Sequence, residues 1–146
     1  MHDEASPHYE DMINNMWHGH EWLKNMFNVI PKIGWHVDPF GHSTANPRLF
    51  HDMGFEAWFF ARLDYADSAN RKNNQEMNYL WRPMSEHFGN DKQIFTSAMR
   101  DHYCWISGFW YDERFDGDDP FVTDMTLDTF NAPEKVALLV QYITEW

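Results

Sequence analysis

The 146-residue sequence predicts an α/β domain with parallel strands, and three observations lead there. Helical and strand patterns alternate along the chain: helix, strand, helix, strand, helix, strand, strand, helix. The run at 55–60 is apolar on both faces, as expected of a strand in a sheet covered on both sides. Polar side chains gather just past successive strands: Asp38 after the first, Arg62, Asp64 and Tyr65 after the second, and Asp101, His102 and Tyr103 after a later one. In β/α proteins the loops leaving the carboxyl ends of strands line the pocket, so these are the positions to watch for chemistry.

Each element has its own justification. Ser6 before Pro7 predicts an N-cap followed by a proline at the first helical position. From about 8 to 27, Met12/Ile13, Met16/Trp17, Leu23 and Met26/Phe27 recur at helical spacing, with Glu10, Asn14, Asn15, Glu21 and Lys24 outward. His18 and His20 stand two apart and point away from each other on a helix, so they read as surface or edge histidines and not as a shared metal pair. Pro31 closes that region, 33–37 forms the first strand, and Pro39 with Gly41 stops it. Asn46-Pro47 is expected to cap a short helix through about Met53, with Gly54 as its C′ residue.

A polar helix at about 67–75 follows the strand at 55–60, and then come a strand at about 77–81, a polar connection at 85–92 and a strand at 94–99. The stretch 104–126, centred on Asp116-Gly117-Asp118-Asp119-Pro120, reads equally as a lid-like loop or as a solvated acidic loop. Asn131 and Glu134 bracket Pro133 as a capping box, and Val136, Leu139, Val140, Ile143 and Trp146 mark a final amphipathic helix. No C-cap follows it, which reads as truncation, and no internal repeat is visible.

Composition narrows the ligand. A formal charge of −12 disfavours nucleic acid and anionic membrane surfaces, which both require a basic face. No run is long and apolar enough to span a bilayer. An 18% aromatic content argues for a real core, and it suits a neutral sugar, whose C–H faces stack on flat apolar rings; for any single ring the core is the better reading. Cys104 is alone, so it is read as a buried free thiol or as half of a bridge to another segment.

One stretch carries a specific resemblance. Trp35-His36-Val37-Asp38-Pro39-Phe40-Gly41-His42-Ser43 resembles the nucleophile segment of the class II α-mannosidases, glycoside hydrolase family 38, in its lysosomal branch. The likeness continues in order on both sides, through His2-Asp3-Glu4-Ala5 with His8-Tyr9, Met53-Gly54-Phe55, Arg62-Leu63-Asp64-Tyr65, Trp81-Arg82 and Ile94-Phe95-Thr96, and more weakly through His102-Tyr103 and Tyr111-Asp112. It implies a contiguous middle portion of the family's seven-stranded (β/α) barrel, a single partial catalytic domain over residues 1–146 truncated at both ends. It also implies a lysosomal or secretory protein; no signal peptide is present, so Met1 is expected to be internal to a longer chain.

The same resemblance assigns roles. Asp38 matches the nucleophile of a retaining glycosidase and one zinc ligand; alone it would be better explained as the cap of an Asp-Pro bend, and the flanking matches reverse that preference. Phe40 matches the aromatic platform under bound mannose, Arg62 the pocket arginine and Tyr103 a substrate-bonding tyrosine, although Cys104-Trp105-Ile106-Ser107 departs from the proline-rich pattern of the lysosomal branch. Arg62 is read equally as a salt bridge to Asp64 or Asp67. His42 is expected to support the site from behind, through Asp38 or the turn, and His36 is left without a ligand role.

The family's opening His-x-Asp zinc motif, its later aspartate acid/base and its distant histidine ligand have no counterpart here, so the segment alone is expected to bind zinc poorly and not to hydrolyse glycosides. The expected partners are a mannose-containing oligosaccharide and the remainder of the catalytic domain. Two other classes stay open. A metal-dependent polysaccharide deacetylase would use a metal-bound water, but the nine histidines include no His-x-x-x-His pair. A non-catalytic, sugar-binding or vestigial product would keep a mannose contact without turnover.

Overall fold

The computed structural model describes residues 2–104, 106–110 and 117–145. Met1, Trp105, residues 111–116 and Trp146 lie outside them, and with them Tyr111-Asp112, Asp116 and the last position of the C-terminal stripe. The chain divides into two compact units, Met1–Tyr103 and Cys104–Trp146.

In the first unit, helix α1 (Tyr9–Phe27) precedes β1 (Ile33–His36), α2 (Ala45–Asp52), β2 (Ala57–Phe60), α3 (Tyr65–Asn74), β3 (Asn78–Trp81), the single turn α4 (Ser85–Phe88) and β4 (Ile94–Ala98). The four strands form one open sheet in the order β1-β2-β4-β3. β1 runs parallel to β2 and β2 parallel to β4, whereas β3 is antiparallel to β4. The expectation of uniformly parallel strands is therefore corrected at β3. Only α4 lies between β3 and β4, and Met84 and Gly89 both take positive φ there, so the chain reverses where a parallel crossover would need a longer helical connection.

The core sits on one face of the sheet. Phe50 from α2 packs among Phe55, Trp58, Phe60, Met77, Ile94 and Ala98, with ring centroids 5.0 Å from Phe55 and 5.3 Å from Trp58. α1 contributes Met12, which is buried, and Met16, which packs against this cluster. The opposite face is open: Ile33, Trp35, Leu80 and Phe95 are exposed, and Ala57 and Phe59 are half-buried. The apolar pattern of β2 predicts coverage on both faces, whereas among the described residues only the Trp58/Phe60 face packs into the core.

The helices hold smaller corrections. His8, not Ser6, is the N-cap of α1, its Nδ1 accepting from the Glu10 amide, and Trp17, Met26 and Phe27 are exposed although they sit on the apolar stripe. α2 starts at Ala45, and Asn46 and Pro47 are buried inside it instead of capping it; Gly54 does take positive φ just past its end. Asp64 caps α3, its carboxylate accepting from the amides of Ala66 and Asp67 at 2.9 and 3.1 Å.

In the second unit, α5 (Ala132–Thr144) is the one regular element among the described residues. The expected capping box does not form. Asn131 accepts from the Val122 amide and donates to the Pro120 carbonyl, both at 2.9 Å, so its side chain ties down the preceding loop. Val136, Val140 and Ile143 are exposed, while Lys135 is buried, donating to the Gly108 carbonyl. Cys104 is exposed, contrary to the buried thiol expected.

Gly34 in β1 tests how tightly the packed face is built. A Cβ there would stand 3.0 Å from Phe50 Cε2, and Phe50 is itself fully buried against His2, His36, Phe55 and Trp58, so its ring has nowhere to move. Gly34→Ala is expected to destabilise the chain by about 1–3 kcal/mol, as overpacking does. Urea unfolding checks this, and an unchanged midpoint would contradict the rigid-ring account.

Candidate functional site at the strand ends

The parallel pairing fixes the site. His36 pairs with Phe60, so Asp38 and Arg62, each two residues further on, leave the sheet side by side. The Ala61 amide continues the ladder to the Val37 carbonyl at 3.2 Å, carrying strand-like geometry up to the pair. Arg62 Nε donates to Asp38 Oδ1. The salt bridge of Arg62 is thus to Asp38, whereas Asp64 caps α3 and Asp67 pairs with Arg71 at 2.9 Å.

Aromatic groups flank the guanidinium. Its Cζ lies 5.2 Å from the Phe40 ring centroid and 5.8 Å from that of Tyr103, within cation–π range of both, and Nη2 donates to the Tyr103 hydroxyl at 3.3 Å. The bond to Asp38 holds the guanidinium even more firmly protonated than usual. Phe40 is 65% exposed, so it keeps a free apolar face. A cleft of about 290 Å³ beside it is lined by Phe40, Gly41, His42, Arg62, Leu63 and Asp64. Asp38, Phe40, Arg62 and Tyr103, picked out one by one in the sequence, thus meet around one cation.

Behind this layer lies a buried polar cluster that sequence reading did not assemble. His42 Nε2 is 2.7 Å from the Arg62 carbonyl, which can only accept, so Nε2 carries a proton. His42 Nδ1 faces Glu4 Oε1 at 3.8 Å, an ion-pair distance longer than a hydrogen bond. His36 is fully buried, its Nε2 donating to the His2 carbonyl and its Nδ1 lying 3.7 Å from the same Glu4 oxygen. His36 therefore turns into the core and does not face the cleft. His2 completes the cluster, its Nε2 2.8 Å from Asn46 Oδ1. The available signal was the recurrence of three histidines and a glutamate in two short segments, but nothing in their spacing says that the segments meet.

The two histidines titrate in opposite directions. Burial lowers both; for His36 burial wins and its pKa falls, whereas for His42 the Glu4 carboxylate and the Arg62 carbonyl outweigh burial and its pKa rises. Of the two, His42 is the more readily protonated. Among the described residues, no group of three or more His, Cys, Asp or Glu side chains is arranged to hold a metal ion.

A sheet whose parallel strand ends gather a carboxylate, a guanidinium and two aromatic rings defines an α/β protein with a site where enzymes of that class place theirs. The chain belongs to the family described as Glycosyl hydrolases family 38 N-terminal domain, which matches residues 1–146. It is 40% identical over 146 residues to the lysosomal alpha-mannosidase of Dictyostelium discoideum, covering all of this chain and 14% of that protein. It is 41% identical over 137 residues to an alpha-mannosidase of Canavalia ensiformis, covering 93% of this chain and 14% of that protein. Against the lysosomal alpha-mannosidase of Bos taurus the identity is 35% over 147 residues, covering 99% and 15%. The chain thus spans about one seventh of the length of these relatives.

The raised pKa of His42 has a measurable sign. Its contribution is fully present below the unfolded value of about 6.5 and is lost as pH rises through the higher folded value. His36 has the opposite sign, gaining stability as pH rises, so comparison with a His42 variant isolates the His42 part. His42→Gln is expected to cost most stability near pH 5.5 and progressively less above about pH 7. Urea unfolding of both proteins across that range reads the difference; a pH-independent gap would show that His42 is not the charged member.

Proposed function

We propose that this chain forms part of the catalytic domain of a retaining α-mannosidase that removes terminal α-mannose from N-linked glycans. The observation that carries this reading is the arrangement around Arg62: Asp38 held by the guanidinium, with Phe40 and Tyr103 on either side. Family membership and the names of the relatives support the same reading. Asp38 attacks the anomeric carbon and forms a glycosyl-enzyme, which water then hydrolyses. Arg62 aims that carboxylate by donating to one of its oxygens, Phe40 offers its exposed face to the sugar ring, and the Tyr103 hydroxyl bonds to a sugar oxygen.

A retaining mechanism needs a second carboxylate to protonate the leaving oxygen, and that group is expected from the remainder of the domain. The same holds for zinc. Among the described residues no cluster fits the metal, and Asp38 would be their single contribution to a zinc ion whose other ligands lie elsewhere. The isolated segment is therefore proposed to be inactive. The open edge at β1 is where further strands of a seven-stranded (β/α) barrel would pair. Among the described residues no helix is long and apolar enough to cross a membrane, and lysosomal delivery is inferred from the relatives named lysosomal.

The test uses the full-length product that contains this chain, assayed on a chromogenic α-mannoside with and without added zinc. Hydrolysis is expected, with Asp38→Asn lowering kcat by at least about 10³-fold, because loss of a nucleophile closes the covalent route. Turnover that survives Asp38→Asn would remove Asp38 from its role, and a product inert towards α-mannosides would sink the whole reading.

A further inference from the structure

We propose that Glu4 is a positioning residue, a buried latch that holds the loop carrying Asp38 and Phe40 in its working shape. This inference rests on the nucleophile reading of Asp38. Glu4 precedes α1 and reaches across to a loop more than thirty residues away. Its side chain is only 3% exposed, and a carboxylate so deprived of water needs donors or positive charge from the protein. The donor is the Ser43 amide and the positive charge is His42, both in one short stretch of chain. His36, whose pKa falls and whose Nε2 donates to the His2 carbonyl, supplies neither from Nδ1. Oε2 accepts from the Ser43 amide at 2.5 Å, and Oε1 faces His36 Nδ1 at 3.7 Å and His42 Nδ1 at 3.8 Å.

The neighbours of Glu4 reinforce the same seam. The His2 carbonyl accepts from His36 Nε2, and the His2 ring bonds to Asn46 in α2. Residues 2–4 are thereby fastened at several points to residues 36–46, on both sides of Asp38. A second line of contact runs from Glu4 to His42, from His42 to the Arg62 carbonyl, and from the Arg62 guanidinium to Asp38. Glu4 does not line the cleft, so it acts through these groups and not on the substrate.

Two readouts test the latch in the full-length protein. The first is hydrogen exchange at the Ser43 amide. Ser43 is an exposed residue, so its amide should exchange rapidly unless Glu4 holds it. Protection in the wild type that drops at least about 10-fold in Glu4→Ala is expected, and equal exchange in the two proteins overturns the proposal. The second is turnover of the chromogenic α-mannoside. Glu4→Ala is expected to lower kcat about 10–100-fold with KM changed less than about 2-fold, the range seen when an outer partner of a reacting group is removed. Glu4→Gln, which keeps an acceptor for Ser43 but loses the charge facing His42, should fall between wild type and Glu4→Ala.

Wild-type kcat in Glu4→Ala, or a defect in KM alone, overturns the latch. Should Glu4→Ala fail to fold, Glu4→Gln carries the kinetic test, and unchanged kcat there has the same meaning. A wild type that turns over no α-mannoside defeats the functional reading instead, and the exchange at Ser43 still decides the latch.

Discussion

The register of β1 against β2 is the constraint on which the site depends. Four parallel pairings, from Ile33 with Ala57 to His36 with Phe60, bring the two strands to their ends at the same height. Asp38 and Arg62 become neighbours for that reason, although 24 residues separate them in sequence. A slip of one residue would turn one strand's side chains to the other face, putting His36 on the open side and dividing the pair. The packed face guards against such a slip. Trp58 and Phe60 are wholly buried beneath Phe50 and its neighbours, and exchanging them for Phe59 would expose a tryptophan and leave a void.

Stability alone gives a poor account of the Asp38–Arg62 pair. Both side chains are more than a third exposed, and water screens such pairs until they contribute little to folding. What the pair does supply is geometry. The guanidinium fixes one carboxylate oxygen and remains close enough to two aromatic rings to order them around it. The deeper cluster of Glu4, His36, His42 and His2 has the opposite character: little solvent, ion-pair distances and not hydrogen bonds around Glu4 Oε1, and opposed pKa directions for its two central histidines. An exposed working layer thus rests on a buried polar layer, and the Arg62 backbone carbonyl joins them.

Local rules made much of this legible in the sequence. The helix over 9–27, the strands β1, β2 and β4, the turn at Gly54 and the location of polar groups past strand ends all follow from periodicity and from proline and glycine punctuation. Four chosen site residues meet in space because strand ends are a topological address, readable once the strands are found. What escaped was non-local. β3 has the composition of any strand, and its direction is set by the short connection through Met84 and Gly89. Asn131 satisfies the spacing of a cap, yet two backbone groups eleven and nine residues upstream claim its amide. Glu4 stands in a short segment ahead of α1, and only the fold reveals that its side chain is buried against a loop nearly forty residues later.

The apolar pattern of the sheet raises the last point. Parallel sheets are normally covered on both faces, and the run at 55–60 has the composition for that. Here α2 and Met16 of α1 cover the face of Trp58 and Phe60, while Ile33, Trp35, Leu80 and Phe95 remain open on the other. Trp35, Phe59 and Phe95 form a continuous aromatic row across three strands, with centroids 6.4 and 6.2 Å apart. An aromatic row on the uncovered side of a sheet matches a larger domain better than a surface left to water, since a patch of this kind otherwise favours association between chains. The relatives are about seven times longer than this chain, and in the catalytic domain proposed here further layers would have this face to cover. The aromatic richness of the sequence thus divides between a core formed on one side of the sheet and an exposed face on the other.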